Sequence, residues 1–174
     1  MASVTDGYQI MGMDSTYVTT DIRPDNPFDQ PGIIWKDLDP TYGWREYVWA
    51  QNSGTVSTAL GTLVMYTDLY KMTFSLTISD SVRDCLLGVA CSVIPTSSYG
   101  WIQTKGYCAR VLVYDGTYAK GQRIMMGTAD GLGLVNGALG TAPTYALVGV
   151  ALGAAVNISS NLYYVPAQLN VGGF

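Results

Sequence analysis

The chain has 174 residues, a net charge of −4 at neutral pH and no histidine. A chain of this length forms one domain, or one domain with a long arm. The acidic balance disfavours a nucleic-acid binder, because such proteins carry a basic excess, and the lack of histidine removes the usual general base near neutral pH.

Composition predicts an all-β protein. Glutamate occurs once and lysine four times, so the common helix-forming residues are scarce. Valine, isoleucine, threonine and tyrosine favour strands instead. The expected fold is a compact antiparallel β-barrel, a β-tulip-like core or a β-sandwich, preceded by an extended N-terminal arm.

Residues 1–40 are predicted to form this arm, and residues 41–174 the β-rich domain. The arm has seven aspartates against Arg23 and Lys36, a net charge of −5, and four prolines. Such a segment cannot pack a core alone, and 30 extended residues reach roughly 100 Å. We expect it to be disordered in the free protein and to anchor on another subunit through Ile33, Ile34 and Trp35, so that deleting residues 2–36 leaves a folded core. The alternative is a disordered acidic tail.

Strands follow in order along the domain. Residues 42–50 and 63–66 form the first two, and Met72–Ile78 alternates apolar with hydroxyl side chains, as a half-buried strand does. Residues 87–94, 99–104 and 109–113 predict a meander with a turn at Gly106. Further strands are expected at 121–126, 146–152 and 161–171. The candidate core residues are Trp101, Gln103, Gly106, Phe74, Leu76 and Val150.

Charge is unevenly distributed. Between Lys105 and Arg123 the chain has a local net charge of +3, which predicts a basic docking surface formed by Lys105, Arg110, Lys120 and Arg123. The alternative is an ordinary solvated hairpin. No charged side chain follows Asp130 in the last 44 residues, which is typical of a surface covered by neighbouring subunits. Residues 132–156 are uncharged, but glycines and Pro143 interrupt them and no basic residue flanks them, so we expect a buried strand and no membrane helix.

No catalytic or metal site is expected. HExxH, GxSxG and P-loop motifs are absent, and Cys85, Cys91 and Cys108 have no histidine partner and no CxxC spacing. We expect three reduced thiols and no cofactor. The N-terminus lacks the pattern of a secretory signal, which indicates synthesis in the cytoplasm.

Several short motifs resemble the capsid decoration, or cement, proteins of tailed bacteriophages. They are Gly88–Ala90 (GVA), Tyr99–Gly106 (YGWIQ-x-x-G), the strand near Gly121 and Val148–Leu152 (VGVAL), after an opening stretch at Tyr42–Asp68, and together they span residues 42–155. The resemblance implies a head-associated structural protein of the virion, commonly a homotrimer, which binds the major capsid protein on the outer capsid surface. The long acidic arm and the apolar C-terminus depart from that family.

A second function remains open. Thirteen tyrosines and four tryptophans suit carbohydrate recognition by stacking, as in a trimeric phage fibre or receptor-binding module. Against it, the chain shows no internal repeat. Neither function involves nucleic acid or a membrane.

Overall fold

The computed structural model describes residues 22–23, 32–68, 73–76, 86–114, 118–127, 131–135 and 147–171. These residues form eleven strands and no helix, which confirms the all-β prediction. The strands are β1 (Ile34–Asp39), β2 (Gly43–Asn52), β3 (Leu63–Asp68), β4 (Thr73–Ser75), β5 (Leu86–Ala90), β6 (Tyr99–Tyr114), β7 (Arg123–Met126), β8 (Gly133–Val135), β9 (Leu147–Ala151), β10 (Val156–Ser159) and β11 (Leu162–Asn170). No helix in the described ranges is long and apolar enough to cross a membrane.

Hydrogen bonding closes two rings of five strands that share β6. In the first ring, β2, β4, β3, β5 and β6 pair in that order, and β6 pairs again with β2. In the second ring, β6, β11, β9, β7 and β8 pair in order, and β8 returns to β6. β1 extends β2 and β10 extends β11, so both lie outside the rings.

Most of the pairings are antiparallel, as predicted, and two are parallel, namely β2–β4 and β6–β8. The reason is geometric. Strands that alternate in direction around a ring must be even in number, so a ring of five needs at least one parallel contact. Each ring has one such contact, limited to one or two residue pairs.

The predicted turn at Gly106 is also wrong, because β6 continues through it for 16 residues. Gly106 has φ +88°, and a Cβ at this position would overlap the carbonyl oxygen of Trp44 on β2. The buried Gln103 side chain holds this kink: its Nε2 donates to the carbonyls of Lys105 (3.1 Å) and Tyr107 (2.8 Å). Glycine bends the strand here because it tolerates positive φ and close backbone approach.

Each ring encloses its own core. The first contains Val48, Ala50, Val64, Phe74, Leu87, Ala90, Ile94 and Ile102. The second is larger and includes Val111, Val113, Ile124, Met126, Val148, Ala151, Val165, Ala167 and Leu169. Neighbouring residues of β3 join different clusters, Val64 the first and Leu63 and Met65 the second, so β3 is buried on both faces and its apolar run is continuous.

The structure places four of the six candidate core residues in the interior: Trp101, Gln103, Gly106 and Phe74 are buried. Leu76 is partly buried and packs against the first core. Val150 must be corrected, because it is 36% exposed. It alternates with the buried Ala151 on β9 and faces away from the second core, and a register shift in the β7–β9 pairing interrupts the alternation between Val150 and the buried Val148.

The boundary of the arm also needs correction, since residues 34–39 form β1 and pair along β2 from Val48 to Gly43. Residues 1–21 and 24–31 lie outside the described residues. Between them, Arg23 forms an isolated bridge with Tyr99, at the start of β6.

Candidate interaction surfaces

The β1–β2 hairpin has one face buried against its own domain. Trp35 stacks on Tyr47 with 5.3 Å between ring centroids and lies 6.0 Å from Trp101, which contacts Trp49 edge-on at 5.0 Å. Trp35 is only 2% exposed. Burying such rings contributes roughly 1.5–3 kcal/mol each, and this contribution is made inside the chain.

The predicted anchor of Ile33, Ile34 and Trp35 is therefore corrected. Strand alternation turns Trp35 inward, and Ile33 packs against the same aromatic cluster. Of the three, only Ile34 is exposed.

The opposite side of the hairpin presents large apolar groups to solvent. Ile34, Leu38 and Trp44 lie on this side, where Leu38 and Trp44 are direct cross-strand partners. Trp44 is 63% exposed and Leu38 56%. We call these three residues, with Lys36 between Ile34 and Leu38, the hairpin face. Exposed apolar groups gathered in one place mark interaction sites, and tryptophan often dominates their binding energy.

The ionised groups give the two sides of the hairpin net charges of opposite sign. On the buried side, Arg45 binds Asp37 and, at 3.2 Å, Asp39. Asp39 also accepts the N–H groups of Thr41 (2.8 Å) and Tyr42 (3.0 Å), and these bonds lower its pKa.

On the hairpin-face side, one carboxylate serves two ammonium groups. Glu46 lies 3.2 Å from Lys105 Nζ and 4.0 Å from Lys36 Nζ. These three groups carry a net charge of +1, and the Lys36 side chain is 57% exposed.

A second apolar surface follows one edge of β11. It consists of exposed aliphatic residues from β9 to β10, and we call it the aliphatic surface: Leu147, Val150, Leu152, Val156 and Ile158. Val150 pairs with Gln168 and Val156 with Tyr164, while the Leu152 N–H donates to the Pro166 carbonyl between them (2.8 Å). Val150, Leu152 and Val156 are therefore neighbours along β11.

Three of the four residues of the predicted basic surface border the aliphatic surface. Arg123 is the cross-strand partner of Val150, and the Arg110 guanidinium lies 5.9 Å from the ring centroid of Tyr164. Lys120 is in the turn whose Gly121 N–H donates to Ala151 (2.8 Å). All three are exposed. Lys105 instead pairs with Glu46, so the structure does not bring the four together as one group.

A cavity of about 600 Å³ opens between β2, β5 and β6. Its lining includes Arg45, Tyr47, Cys91, Gln103 and Cys108. Burial raises the pKa of the Cys108 thiol to about 11, and that of Cys91 further in the same direction. Both thiols are therefore protonated at neutral pH, which disfavours a role as thiolate nucleophiles. Within the described ranges, no three histidine, cysteine or acidic residues are grouped as metal ligands. Cys85 lies outside those ranges.

Neither the hairpin face nor the aliphatic surface was predicted from the sequence as an interaction site. Period-2 alternation along β2 places Trp44 on the side opposite Arg45, Tyr47 and Trp49, but the alternation does not show which side faces solvent, because that depends on what packs there. The aliphatic surface had one visible signal, the uncharged last 44 residues. Comparison with protein-family models, curated proteins and solved structures finds no match for this chain.

Proposed function

We propose that this protein is a capsid decoration protein of a tailed bacteriophage, which binds the assembled lattice of the major capsid protein from outside. The observation that supports this most is the aliphatic surface bordered by Arg110, Lys120 and Arg123. An apolar centre with a charged rim is the usual organisation of a protein–protein interface. The short motifs of Tyr42–Leu152 that resemble decoration proteins support the same function.

The proposed mechanism is stabilisation by mass action. A protein that binds the assembled lattice, but not free capsid subunits, lowers the free energy of the shell by RT ln(1 + [L]/Kd). The aliphatic side chains would supply affinity on burial, at most roughly 1.5–3 kcal/mol each because they are already partly covered. The three basic groups would steer approach to an acidic patch and lose this effect as salt increases.

A matched pair of substitutions tests the assignment of the surface. Val156 and Val56 are equally exposed, at 62% and 61%, but only Val156 belongs to the aliphatic surface. Val156→Asp should weaken sedimentation of the protein with capsids at least about tenfold, which corresponds to about 1.4 kcal/mol. Val56→Asp should leave it unchanged. Equal binding by the two variants would contradict the proposal.

A fibre or receptor-binding module is the second candidate. It is favoured by one feature, the exposed Tyr42 ring stacked at 3.7 Å on Tyr107, with the exposed Trp44 two residues away along the chain. Aromatic faces of this kind bind sugar rings. Copy number and position on intact particles, measured by labelling, separate the two functions: a decoration protein covers the shell, whereas a fibre is confined to the tail in few copies.

A further inference from the structure

The hairpin face lies apart from the surface that the proposed function uses. The aliphatic surface lies along β9–β11 of the second ring, whereas Ile34, Leu38 and Trp44 lie on β1–β2, at the edge of the first ring. All four tryptophans of the chain are in the described ranges, and Trp35, Trp49 and Trp101 are at most 2% exposed. Trp44 is thus the one tryptophan that faces solvent, and the hairpin face needs its own occupant.

The chemistry of this face specifies that occupant. Its apolar residues surround Lys36, and Lys36, Lys105 and Glu46 leave one positive charge unbalanced. A complementary segment should be extended, carry apolar side chains at intervals and have acidic groups but no basic ones.

Residues 1–21 of this chain have that composition. They include Asp6, Asp14 and Asp21 and no lysine or arginine. Six of their larger apolar side chains lie between the aspartates, and these are Tyr8, Ile10, Met11, Met13, Tyr17 and Val18. We propose that residues 1–21 of one copy dock on the hairpin face of a neighbouring copy, with Trp44 as the apolar anchor and Lys36 as the partner of an aspartate.

A neighbouring copy is the proposed source of the arm because copies are crowded together on a capsid. Arg23, where the arm enters the fold, pairs with Tyr99, which is opposite Gln51 near the end of β2, whereas Trp44 is near its beginning. Residues 1–21 are long enough when extended to reach the Trp44 of their own copy as well, so the dilution series described below separates the two arrangements. On a capsid, neighbouring copies are held at high effective concentration, so linking them through their arms would add avidity. The inference deepens the proposed function. It depends on that function only because binding to a capsid is what would bring neighbouring copies close together.

Trp44 supplies the test in solution. Acrylamide quenching of tryptophan fluorescence is measured on the full-length protein over a series of protein concentrations. Docking in a neighbouring copy should shield Trp44 progressively as concentration increases, and Trp44→Phe should abolish the concentration-dependent component. A synthetic peptide of residues 1–21, added to dilute full-length protein, should restore the shielding.

Charge reversal separates this docking from nonspecific association. Lys36→Glu should shift the concentration of half-shielding upward at least about tenfold, and Lys120→Glu, an equal change of charge away from the hairpin, should not. Combining Lys36→Glu with Asp6→Lys and Asp14→Lys should recover the shielding.

Three results would overturn the inference: quenching that is the same at every concentration, shielding that persists at the highest dilution because the arm occupies its own hairpin, or no difference between the two lysine variants. The capsid assay is independent of this one. Equal capsid binding by Val156→Asp and Val56→Asp, with concentration-dependent shielding of Trp44 intact, refutes the proposed function alone. Weaker capsid binding by Val156→Asp without such shielding refutes only the arm contact.

Discussion

Gly106→Ala probes the kink through which β6 serves both rings. Gly106 has φ +88°, and its Cβ would overlap backbone atoms of Trp44 and Arg45, which cannot move away as a side chain could. Gly43 is the matched control, because it has φ +82° but no heavy atom within 4 Å of its Cβ position. Both substitutions therefore place alanine at a positive φ, but only Gly106→Ala also forces a Cβ against the backbone of a neighbouring strand.

The magnitudes follow from these two contributions. Placing alanine in the left-handed region costs about 1–2 kcal/mol, and the stiffer unfolded chain offsets roughly 0.4–1 kcal/mol of it. Gly43→Ala should thus destabilise the protein by about 1 kcal/mol or less. Gly106→Ala adds a steric cost of about 1–3 kcal/mol.

Thermal and urea unfolding followed by circular dichroism measure this difference. For a domain of this size, an extra 2 kcal/mol lowers Tm by about 4–8 °C. If the two alanine variants unfold at the same temperature, β6 does not cross β2 closely at Gly106, and the shared-strand description of the two rings is wrong at this point.

Three further predictions concern stability. Trp101→Ala should cost about 3–5 kcal/mol in urea unfolding, because it empties the centre of the aromatic cluster; an unchanged stability with lost binding would mean that Trp101 is at an interface. Stability should fall as pH increases from about 9 to about 11, because the pKa of Cys108 is raised from 9.0 to about 11 and the unfolded chain loses the thiol proton first; Cys108→Ala should make this decline shallower, and an equal slope would contradict the assignment. Deleting residues 2–21 should leave Tm nearly unchanged, whereas deleting residues 2–36 should lower it clearly, because the longer deletion removes Trp35 and half of β1; equal Tm values would show that β1 does not support the fold.

Local pattern was sufficient for much of the fold. The scarcity of helix formers and the period-2 runs predicted an all-β chain, and strands were predicted around the positions of β2, β3, β4, β5, β7, β9 and β11. Trp101, Gln103 and Phe74 were predicted to be interior residues. This prediction was possible because the alternation of side chains along one strand can be read from residues that are close together in the sequence. The charge-free C-terminal region contains all the exposed residues of the aliphatic surface.

Burial at the hairpin could not be read in this way. Ile33, Ile34 and Trp35 are similar apolar residues in sequence, yet only Ile34 is exposed, because the register of β1 on β2 decides which side meets the aromatic cluster. The same holds for Val150, whose apolar character suggested the core although the pleat turns it outward.

The sequence by itself determined the strand-forming character of the chain, its acidic N-terminal segment and its uncharged C-terminal region, because these depend on composition and on neighbours along the chain. Only the tertiary structure decided that β6 runs unbroken through Gly106 and closes two rings at once. That outcome depends on contacts between residues far apart in sequence: the approach of Trp44 to Gly106, and the single parallel pairing that a ring of five strands requires. The two apolar surfaces follow from the same closure, because it determines which side of each strand is left to solvent.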